Sequence, residues 1–333
     1  MKSNPYRLLP AYDVEPVFAA EASVSALEKI RGDFRAIGAF GFDTIMLRHV
    51  DPVLRKSVLD VAADEGLDAA LVVQELQHYV RTGTGPGGSN DGAKAAREVM
   101  DEFVGHVSMA AVVIETGASA RATQRGAALC AAIEAGGTSC ALIGGVANPP
   151  RQSLVRLDTR AAEDDGGTSL LEAWLGAYHR GLIAGRTQGV VFDKHSRAPG
   201  DGPALADPGG IARPSVAAAI HEIKERGYLW GPRLMNTKPA RLAGHRSTAP
   251  EVSVTALSRG ARRYVLVFNG SNASYSRGEV VLTARFGSAA VSRAVEVPTS
   301  RARPSGRVVE ARDGLLVLLV DLRPGDAALF EMF

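Results

Sequence analysis

Glu115 ends an apolar run in this sequence, at a position where a buried strand could hold a catalytic group. Six apolar residues precede it, and Thr116 and Gly117 follow it. A glycosidic bond can be cleaved by two carboxyl groups, one protonated and one ionised. They are held roughly 5–5.5 Å apart for retention of configuration, or about 6.5–9.5 Å apart for inversion. Six further side chains with acid, base or ligand-binding chemistry stand at comparable positions: Asp13, His49, Glu75, Asp158, Asp193 and His195.

The surroundings of the carboxyl groups indicate different roles. Apolar neighbours raise the pKa of a carboxyl group, whereas basic neighbours keep one ionised. Glu115 is therefore the candidate acid, and Asp158 or Asp193 is the candidate nucleophile or base. Structural explanations stay open, because Glu115 could instead cap the next helix or pair with an arginine such as Arg121, and an ion pair would account for either aspartate. Four residues are candidates for substrate binding: Asp13, His49, Glu75 and His195.

Two of these candidates have a second interpretation. Glu75, in "VVQELQHY", could bind sugar hydroxyls or serve as a catalytic carboxylate. His49 stands two residues before Asp51 and could contact a ligand or cap the helix that follows.

The charge balance and the histidine spacing argue against several other functions. The 38 basic and 36 acidic side chains give a net charge of +2. The chain therefore lacks the strong positive charge that attracts nucleic acid, and we expect no nucleic-acid partner. The seven histidines form no HxH, HxxxH or HExxH pattern, so we expect neither a metal nor a cofactor. No GxSxG occurs, which argues against a serine hydrolase.

The cysteines and the apolar runs indicate a cytoplasmic chain. Cys130 and Cys140 lack CxxC spacing, and we expect them to be buried reduced thiols. No stretch approaches the roughly 20 apolar residues of a membrane span. The first residues, "MKSNPYRLLPAYDVEP", contain no signal-peptide core. We therefore expect a cytoplasmic location and no membrane span, although an export signal could have been trimmed from this chain.

Short apolar runs alternate with amphipathic ones up to residue 227, which predicts a parallel sheet covered by helices. A (β/α)8 TIM-like barrel over residues 1–240 fits this alternation best. A doubly wound open sheet is the alternative, but no GxGxxG or Walker-type loop follows the first run. Seven runs are predicted strands: 8–13, 42–49, 67–75, 109–115, 139–145, 153–158 and 189–193.

The pattern changes after residue 240. Short alternating runs such as "VSVTALS", "RRYVLVFN" and "GLLVLLVDL" are separated by Gly, Ser, Asn and Pro. This spacing is typical of antiparallel strands and predicts a small all-β sandwich domain over 241–333.

Four segments carry a resemblance to a known family: "IRGDFRAIGAFGFDTIMLRH", "VMDEFVGHVSMAAVVIE", "AYHRGLIAGRTQGVVFDKHSR" and "RRYVLVFN…DLRPGDAALFEMF". In this order, with a barrel before a small sandwich, they resemble the retaining glycoside hydrolases of the β-galactosidase type. The resemblance implies that Glu115, at the end of the fourth strand, is the acid/base. It also implies a nucleophile at the end of a late strand, where Asp158 and Asp193 stand.

The sequence departs from that family at two places. Ile114 stands before Glu115 where the family has an asparagine, and no glutamate ends a strand after residue 115. Our first hypothesis is a glycoside hydrolase-like protein that cleaves a β-linked glycan by a two-carboxylate mechanism. The alternative is a non-catalytic barrel-plus-sandwich relative that acts as a glycan-binding or structural assembly protein. An oligomer is compatible with both.

Overall fold

A computed structural model describes most of the chain. Side chains and backbone are described for residues 9–19, 23–39, 41–85, 88, 90–103, 105–117, 119–143, 179, 191, 221–234, 237–271, 273–302 and 306–333. The backbone alone is described for 7–8, 20, 144, 153–158, 187–190, 192–193 and 214–220. The chain divides into two compact units, which we call the parallel-sheet unit (Arg7–Ala161 and Gln188–Arg213) and the antiparallel-sheet unit (Met1–Tyr6, Ala162–Thr187 and Pro214–Phe333).

The parallel-sheet unit is built on seven strands that pair in chain order. They are β1 (Arg7–Asp13), β2 (Thr44–Arg48), β3 (Asp68–Val72), β4 (Met109–Gly117), β5 (Cys140–Gly144), β6 (Ser153–Asp158) and β7 (Thr187–Asp193). β1 pairs with β2 on one side and with β7 on the other, all in parallel, so the sheet closes into a ring. Seven strands of this ring are described. The eight-stranded (β/α)8 architecture stays a prediction.

Helices alternate with these strands. They are α1 (Glu15–Ala20), α2 (Ser23–Ala39), α3 (Arg55–Asp64), α4 (Gln74–Thr82), α5 (Gly92–Met100) and α6 (Ala120–Ala135). On α2, Ile30, Phe34 and Ile37 are buried at three- and four-residue spacing, which is the period of an amphipathic helix. The side chain of Asp51 accepts a hydrogen bond from the backbone N–H of Val53 and caps a 3-10 turn before α3.

The inner face of the ring is apolar. Alternate residues of six strands form one buried cluster: Leu9, Ala11, Met46, Ala70, Val72, Ala111, Val113, Ala141, Ile143 and Val191. The other face of β4 meets α6, because a Cβ added to Gly126 would lie 2.6 Å from Thr116 Cγ2 and 3.2 Å from Ile114 Cγ2. Residues of β4 therefore alternate between the interior of the ring and the helix.

The antiparallel-sheet unit contains one helix and eleven short strands in the described residues. They are α7 (Pro214–Leu234), β8 (Lys238–Pro239), β9 (His245–Ser247), β10 (Val252–Arg259), β11 (Arg262–Asn269), β12 (Ser276–Thr283), β13 (Arg285–Phe286), β14 (Ala289–Ala290), β15 (Arg293–Val297), β16 (Val308–Glu310), β17 (Leu315–Leu322) and β18 (Ala327–Met332). One sheet has the order β16-β15-β18-β11-β10-β8, and the other has the order β17-β12-β9.

The two larger sheets contribute to one apolar core. Val265 and Val267 of β11 and Leu316 and Leu318 of β17 belong to the same buried cluster. Along β17 every second residue is buried, which is the alternation expected of a strand with one covered face. None of the helices in the described part of the chain is long and apolar enough to cross a membrane.

Candidate functional site

Three strands of the ring carry, just beyond the apolar inner cluster, a charged residue whose side chain is described. Successive side chains of a strand point to opposite faces, so residues i and i+2 share a face. The residues two positions beyond the cluster on β1, β2 and β4 are Asp13, Arg48 and Glu115. They stand at the carboxyl ends of their strands, which is where barrel enzymes assemble their active sites. We call this end of the ring the mouth.

Arg48 and Glu115 contact each other across the mouth. Arg48 Nη2 donates a hydrogen bond to Glu115 Oε1. The Arg48 side chain is 9% exposed and the Glu115 side chain 26% exposed. Because β3 pairs with both β2 and β4, the contact passes over the end of β3. Glu115 thus faces a permanent positive charge and keeps partial access to solvent.

A buried amide holds the segment from which Glu115 projects. Gln77 on α4 is 7% exposed, and its Nε2 donates to the carbonyl of Val113 at 3.2 Å. Its Oε1 accepts from the backbone N–H of Glu115 at 3.3 Å. These two bonds tie the last inner-facing residues of β4 to the helix that follows β3.

His49 lies beside this contact in an unusual backbone conformation. Its φ is +50°, a left-handed value that costs most non-glycine residues energy and that clusters at functional sites. Its Nδ1 is 2.9 Å from Asp13 Oδ1, and its side chain is 49% exposed. The hydrogen bond with Asp13 raises the pKa of His49, and the charge of Glu15 adds to this, while burial and Arg48 oppose it. The predicted candidates Asp13 and His49 are therefore brought together.

Glu75 was predicted to lie at the end of a strand over 67–75, and this is wrong. β3 ends at Val72, and Glu75 lies in the first turn of α4. Its carboxylate pairs with Arg55, which is 1% exposed and whose guanidinium carbon is 5.6 Å from the ring centre of Phe103. The charge of Glu75 thus compensates a buried arginine on α3, and its predicted ligand role stays a prediction.

The other three candidates are described only in part or not at all. Asp158 and Asp193 are the last residues of β6 and β7, at the carboxyl ends, but their side chains lie outside the described residues. His195 lies outside the described residues altogether. Their catalytic and binding roles stay predictions.

Sequence reasoning missed Arg48 and Gln77. Arg48 could have been found, because it stands two residues after Met46 in a buried strand whose inner positions are apolar. Gln77 gives no comparable signal, because its importance comes from a contact with β4, 36 positions away in the chain.

The mouth holds two carboxylates, a guanidinium and an imidazole, which can transfer protons and form hydrogen bonds with hydroxyl groups. A carboxylate can accept a proton or attack a carbon atom, and an imidazole paired with a carboxylate can carry a proton. Among the described side chains, no group of three or more His, Cys, Asp or Glu could hold a metal ion.

No protein-family model matches this sequence, and no curated protein matches it. Similar solved structures include a GH30 endoxylanase from Clostridium papyrosolvens, 10% identical with a TM-score of 0.39, covering 98% of this chain and 96% of that one. The alpha-fucosidase of Thermotoga maritima in complex with fucose is 9% identical with a TM-score of 0.45, covering 92% and 78%. The Thermus thermophilus protein Ttha1563 is 10% identical with a TM-score of 0.49, covering 91% and 90%.

These similarities are too weak to assign an activity or a shared fold, since all three TM-scores lie below 0.5.

Proposed function

We propose that this chain is a glycoside hydrolase-like protein that binds a carbohydrate at the mouth and cleaves a β-linked glycan with two carboxyl groups. The contact between Arg48 and Glu115 is the observation that carries the proposal. It supports a carboxylate on the inner face of the ring, at the end where parallel barrels bind their substrates. The (β/α)8 architecture and the catalytic roles below are part of the same proposal.

The arginine contact favours one of the two carboxyl roles for Glu115. A charge-assisted hydrogen bond from a guanidinium is made to an ionised carboxylate. We therefore assign Glu115 to the ionised member of the pair, in place of the acid/base role that the family resemblance implies. The assignment also reverses the role that basic sequence neighbours predict for Asp158 and Asp193. Each lies at the end of a late strand and becomes a candidate for the protonated member.

The proposed reaction balances with these two groups. The aspartic acid gives its proton to the glycosidic oxygen as the bond to the anomeric carbon breaks, so the leaving sugar departs as an alcohol. If configuration is retained, Glu115 attacks the anomeric carbon and forms an ester. Water then attacks the same carbon, gives its proton back to the aspartate and releases Glu115 as a carboxylate. If configuration is inverted, Glu115 instead takes a proton from the attacking water.

The test is hydrolysis of aryl β-glycosides by the wild-type chain and by Glu115→Gln, Asp158→Asn and Asp193→Asn. We expect Glu115→Gln to lower kcat/KM by roughly 100-fold to 10,000-fold, as is typical for the loss of a catalytic acid or base. Glu28→Gln, on the exposed side of α2, is the matched control and should leave kcat/KM unchanged. Full activity of Glu115→Gln would remove Glu115 from the mechanism.

Azide separates the two roles of Glu115. If Glu115 is the nucleophile, Glu115→Ala with added azide should form a glycosyl azide of the opposite anomeric configuration to the substrate. If Glu115 is the acid/base, the glycosyl azide should keep the configuration of the substrate. The configuration of the product is identified by the coupling constant of its anomeric proton in the proton NMR spectrum.

A second candidate function is a glycan-binding protein without turnover. The observation that favours it is that none of β5, β6 and β7 ends in a glutamate, since their last residues are Gly144, Asp158 and Asp193. This candidate predicts saturable binding of oligosaccharides, measured by calorimetry, with no reducing sugar released on long incubation. Release of reducing sugar by the wild-type chain but not by Glu115→Gln would reject it.

A further inference from the structure

β4 continues beyond the end of its neighbour β3. β3 ends at Val72, which is paired with Val113, whereas β4 runs on to Gly117. The backbone groups at the end of β4 that face β3 therefore lie beyond the β3 ladder. A buried backbone N–H or C=O without a hydrogen bond costs free energy. Another part of the chain must supply these bonds if β4 is to keep its course.

The pattern of the ladder identifies the groups concerned. Every second residue of a parallel strand directs both its N–H and its C=O toward the same neighbour. Ala69 of β3 directs its N–H toward β4, because it donates to the carbonyl of Ser108 at 2.6 Å. Val73 stands four residues further on and has the same orientation in a continued strand. By the register, it would donate its N–H to the carbonyl of Val113 and accept the N–H of Glu115 with its carbonyl.

The side-chain amide of Gln77 makes these same two bonds. Its Nε2 donates to the carbonyl of Val113 at 3.2 Å, and its Oε1 accepts from the backbone N–H of Glu115 at 3.3 Å. The carbonyl of Val73 instead accepts from the backbone N–H of Gln77 at 3.0 Å, and α4 begins at the residue after Val73. One side chain of α4 therefore takes the place that the next backbone residue of β3 would occupy in the ladder.

The early end of β3 also leaves room for the contact across the mouth. Val72 faces the inside of the ring, so Gln74 would be the next inner-facing residue if β3 continued. The register would place Gln74 opposite Glu115. Because β3 lies between β2 and β4, its side chain would then stand in the path along which Arg48 reaches Glu115. The start of α4 removes this obstacle, and Gln77 restores the bonds that the shorter strand gives up.

We propose that Gln77 is a positioning residue, whose amide replaces a backbone residue of β3 and fixes the backbone from which Glu115 reaches Arg48. Its consequence for catalysis rests on the proposed function, in which Glu115 is the reacting carboxylate. The position requires a neutral group that donates and accepts at once. A carboxylate only accepts and would repel the carbonyl of Val113, whereas a protonated carboxyl group again offers one donor and one acceptor.

A double-mutant cycle tests the positioning without any activity. Urea unfolding is measured for the wild type, Arg48→Met, Gln77→Met and the double variant. We expect Arg48→Met to cost less than half as much stability in the Gln77→Met background, because a displaced Glu115 makes less of the arginine contact. Gln124→Met, on the exposed side of α6, is the matched control and should leave the cost of Arg48→Met unchanged. Equal costs of Arg48→Met with and without Gln77 would overturn the proposal.

Rescue by protonation tests the consequence for catalysis. Hydrolysis of an aryl β-glycoside by Gln77→Glu is compared with that by the wild type at pH 5 and at pH 8. We expect kcat to fall at least tenfold at pH 8 with KM little changed, because a displacement of about 1 Å can cost roughly 100-fold. Most of this loss should be recovered at pH 5, since burial raises the pKa of the introduced carboxyl group and protonation restores its donor.

Two further variants control for the substitution itself. Gln77→Met should lose the same factor in kcat at both pH values, and Gln124→Glu should match the wild type at both. An equal loss by Gln77→Glu at pH 5 and pH 8, or a change in KM alone, would overturn the positioning role. A wild-type chain that hydrolyses no glycoside would reject the proposed function alone, because the double-mutant cycle still decides whether Gln77 positions Glu115.

Discussion

Arg48 on β2 and Glu115 on β4 are joined by a hydrogen bond although the strand between them contributes nothing to it. The pair therefore fixes the ends of two non-adjacent strands relative to each other. Gln77 fixes the same end of β4 from the helix side. One charged side chain thus holds the Glu115 carboxylate and one neutral side chain holds its backbone, and both side chains are largely buried.

Removing the arginine should cost stability as well as activity. We expect Arg48→Met to lower the free energy of unfolding by about 1–3 kcal/mol, because it removes the charge-assisted hydrogen bond between Arg48 and Glu115. The measurement is urea unfolding at pH 7. Arg277→Met, which breaks an exposed ion pair with Asp321, is the control and should leave stability near that of the wild type. Equal losses in the two variants would show that the mouth contact has no special role.

The ionisation of His49 should depend on Asp13. The pKa of His49 lies above its ordinary value of 6.5, mainly because of the hydrogen bond with Asp13. We expect Asp13→Asn to move the NMR titration of the His49 ring to lower pH. Glu15→Gln should move it in the same direction but by less, because Glu15 acts only through its charge.

The same shift gives His49 a pH-dependent contribution to stability. A histidine whose pKa is higher in the folded than in the unfolded state stabilises the fold fully below the unfolded value, and this stabilisation is lost as the pH rises through the folded value. Urea unfolding between pH 5 and pH 9 should therefore show a larger decline for the wild type than for Asp13→Asn. Parallel profiles would contradict the assignment.

The strands of the parallel-sheet unit could be predicted because each is a short apolar run followed by a turn or a cap. The end of β3 could not be, because its apolar run continues directly into α4. Leu76 and Val80 of α4 are buried at a spacing of four residues, which is typical of a helix. Val72 and Val73 stand directly before α4, so the sequence shows one continuous apolar run and no boundary between the strand and the helix. The helix assignment removes Glu75 from the strand end and pairs it with Arg55.

The sequence predicts which residues stand at the mouth, but it does not predict which of them contact each other. Strand alternation places Asp13 and Glu115 on one face, but it does not say which partners meet there. Arg48 and Glu115 are 67 positions apart, and Asp13 and His49 are 36 apart. Both contacts therefore depend on how β1, β2, β3 and β4 pair.

A buried histidine in the antiparallel-sheet unit should make this chain sensitive to acid. His179 is 0% exposed, and its Nδ1 donates to the carbonyl of Gly325 at 2.8 Å. Its Nε2 accepts from Arg226, which also donates to Asp326 at 2.7 Å. Burial, with help from the charge of Arg226, lowers the pKa of His179 to about 3.

The sign of this effect is opposite to that for His49. His179 has its ordinary pKa of 6.5 in the unfolded state and a pKa of about 3 in the folded state. Between these two values only the unfolded state binds the proton, so the stability of the fold decreases as the pH is lowered. One proton accounts for at most about 1.4 kcal/mol per pH unit. We expect His179→Gln to be less stable at pH 7 but to show a flatter profile between pH 6 and pH 4. An equally steep profile would assign the acid sensitivity to other groups.

Gly126 lies at the tight contact between α6 and β4, whereas Gly32 of α2 faces open space. We therefore expect opposite effects when each glycine is replaced by alanine. A Cβ at Gly126 would lie 2.6 Å from Thr116 Cγ2 and 2.9 Å from Leu142 Cδ1, so Gly126→Ala must displace the helix from the strand that carries Glu115. We expect a loss of about 1–3 kcal/mol in the free energy of unfolding, the usual cost of overpacking. Gly32→Ala, in α2, meets nothing within 4 Å and should stabilise the helix by roughly 0.5–1 kcal/mol. Urea unfolding of the two variants measures both effects, and stabilisation by Gly126→Ala would show that α6 does not pack on β4 as described.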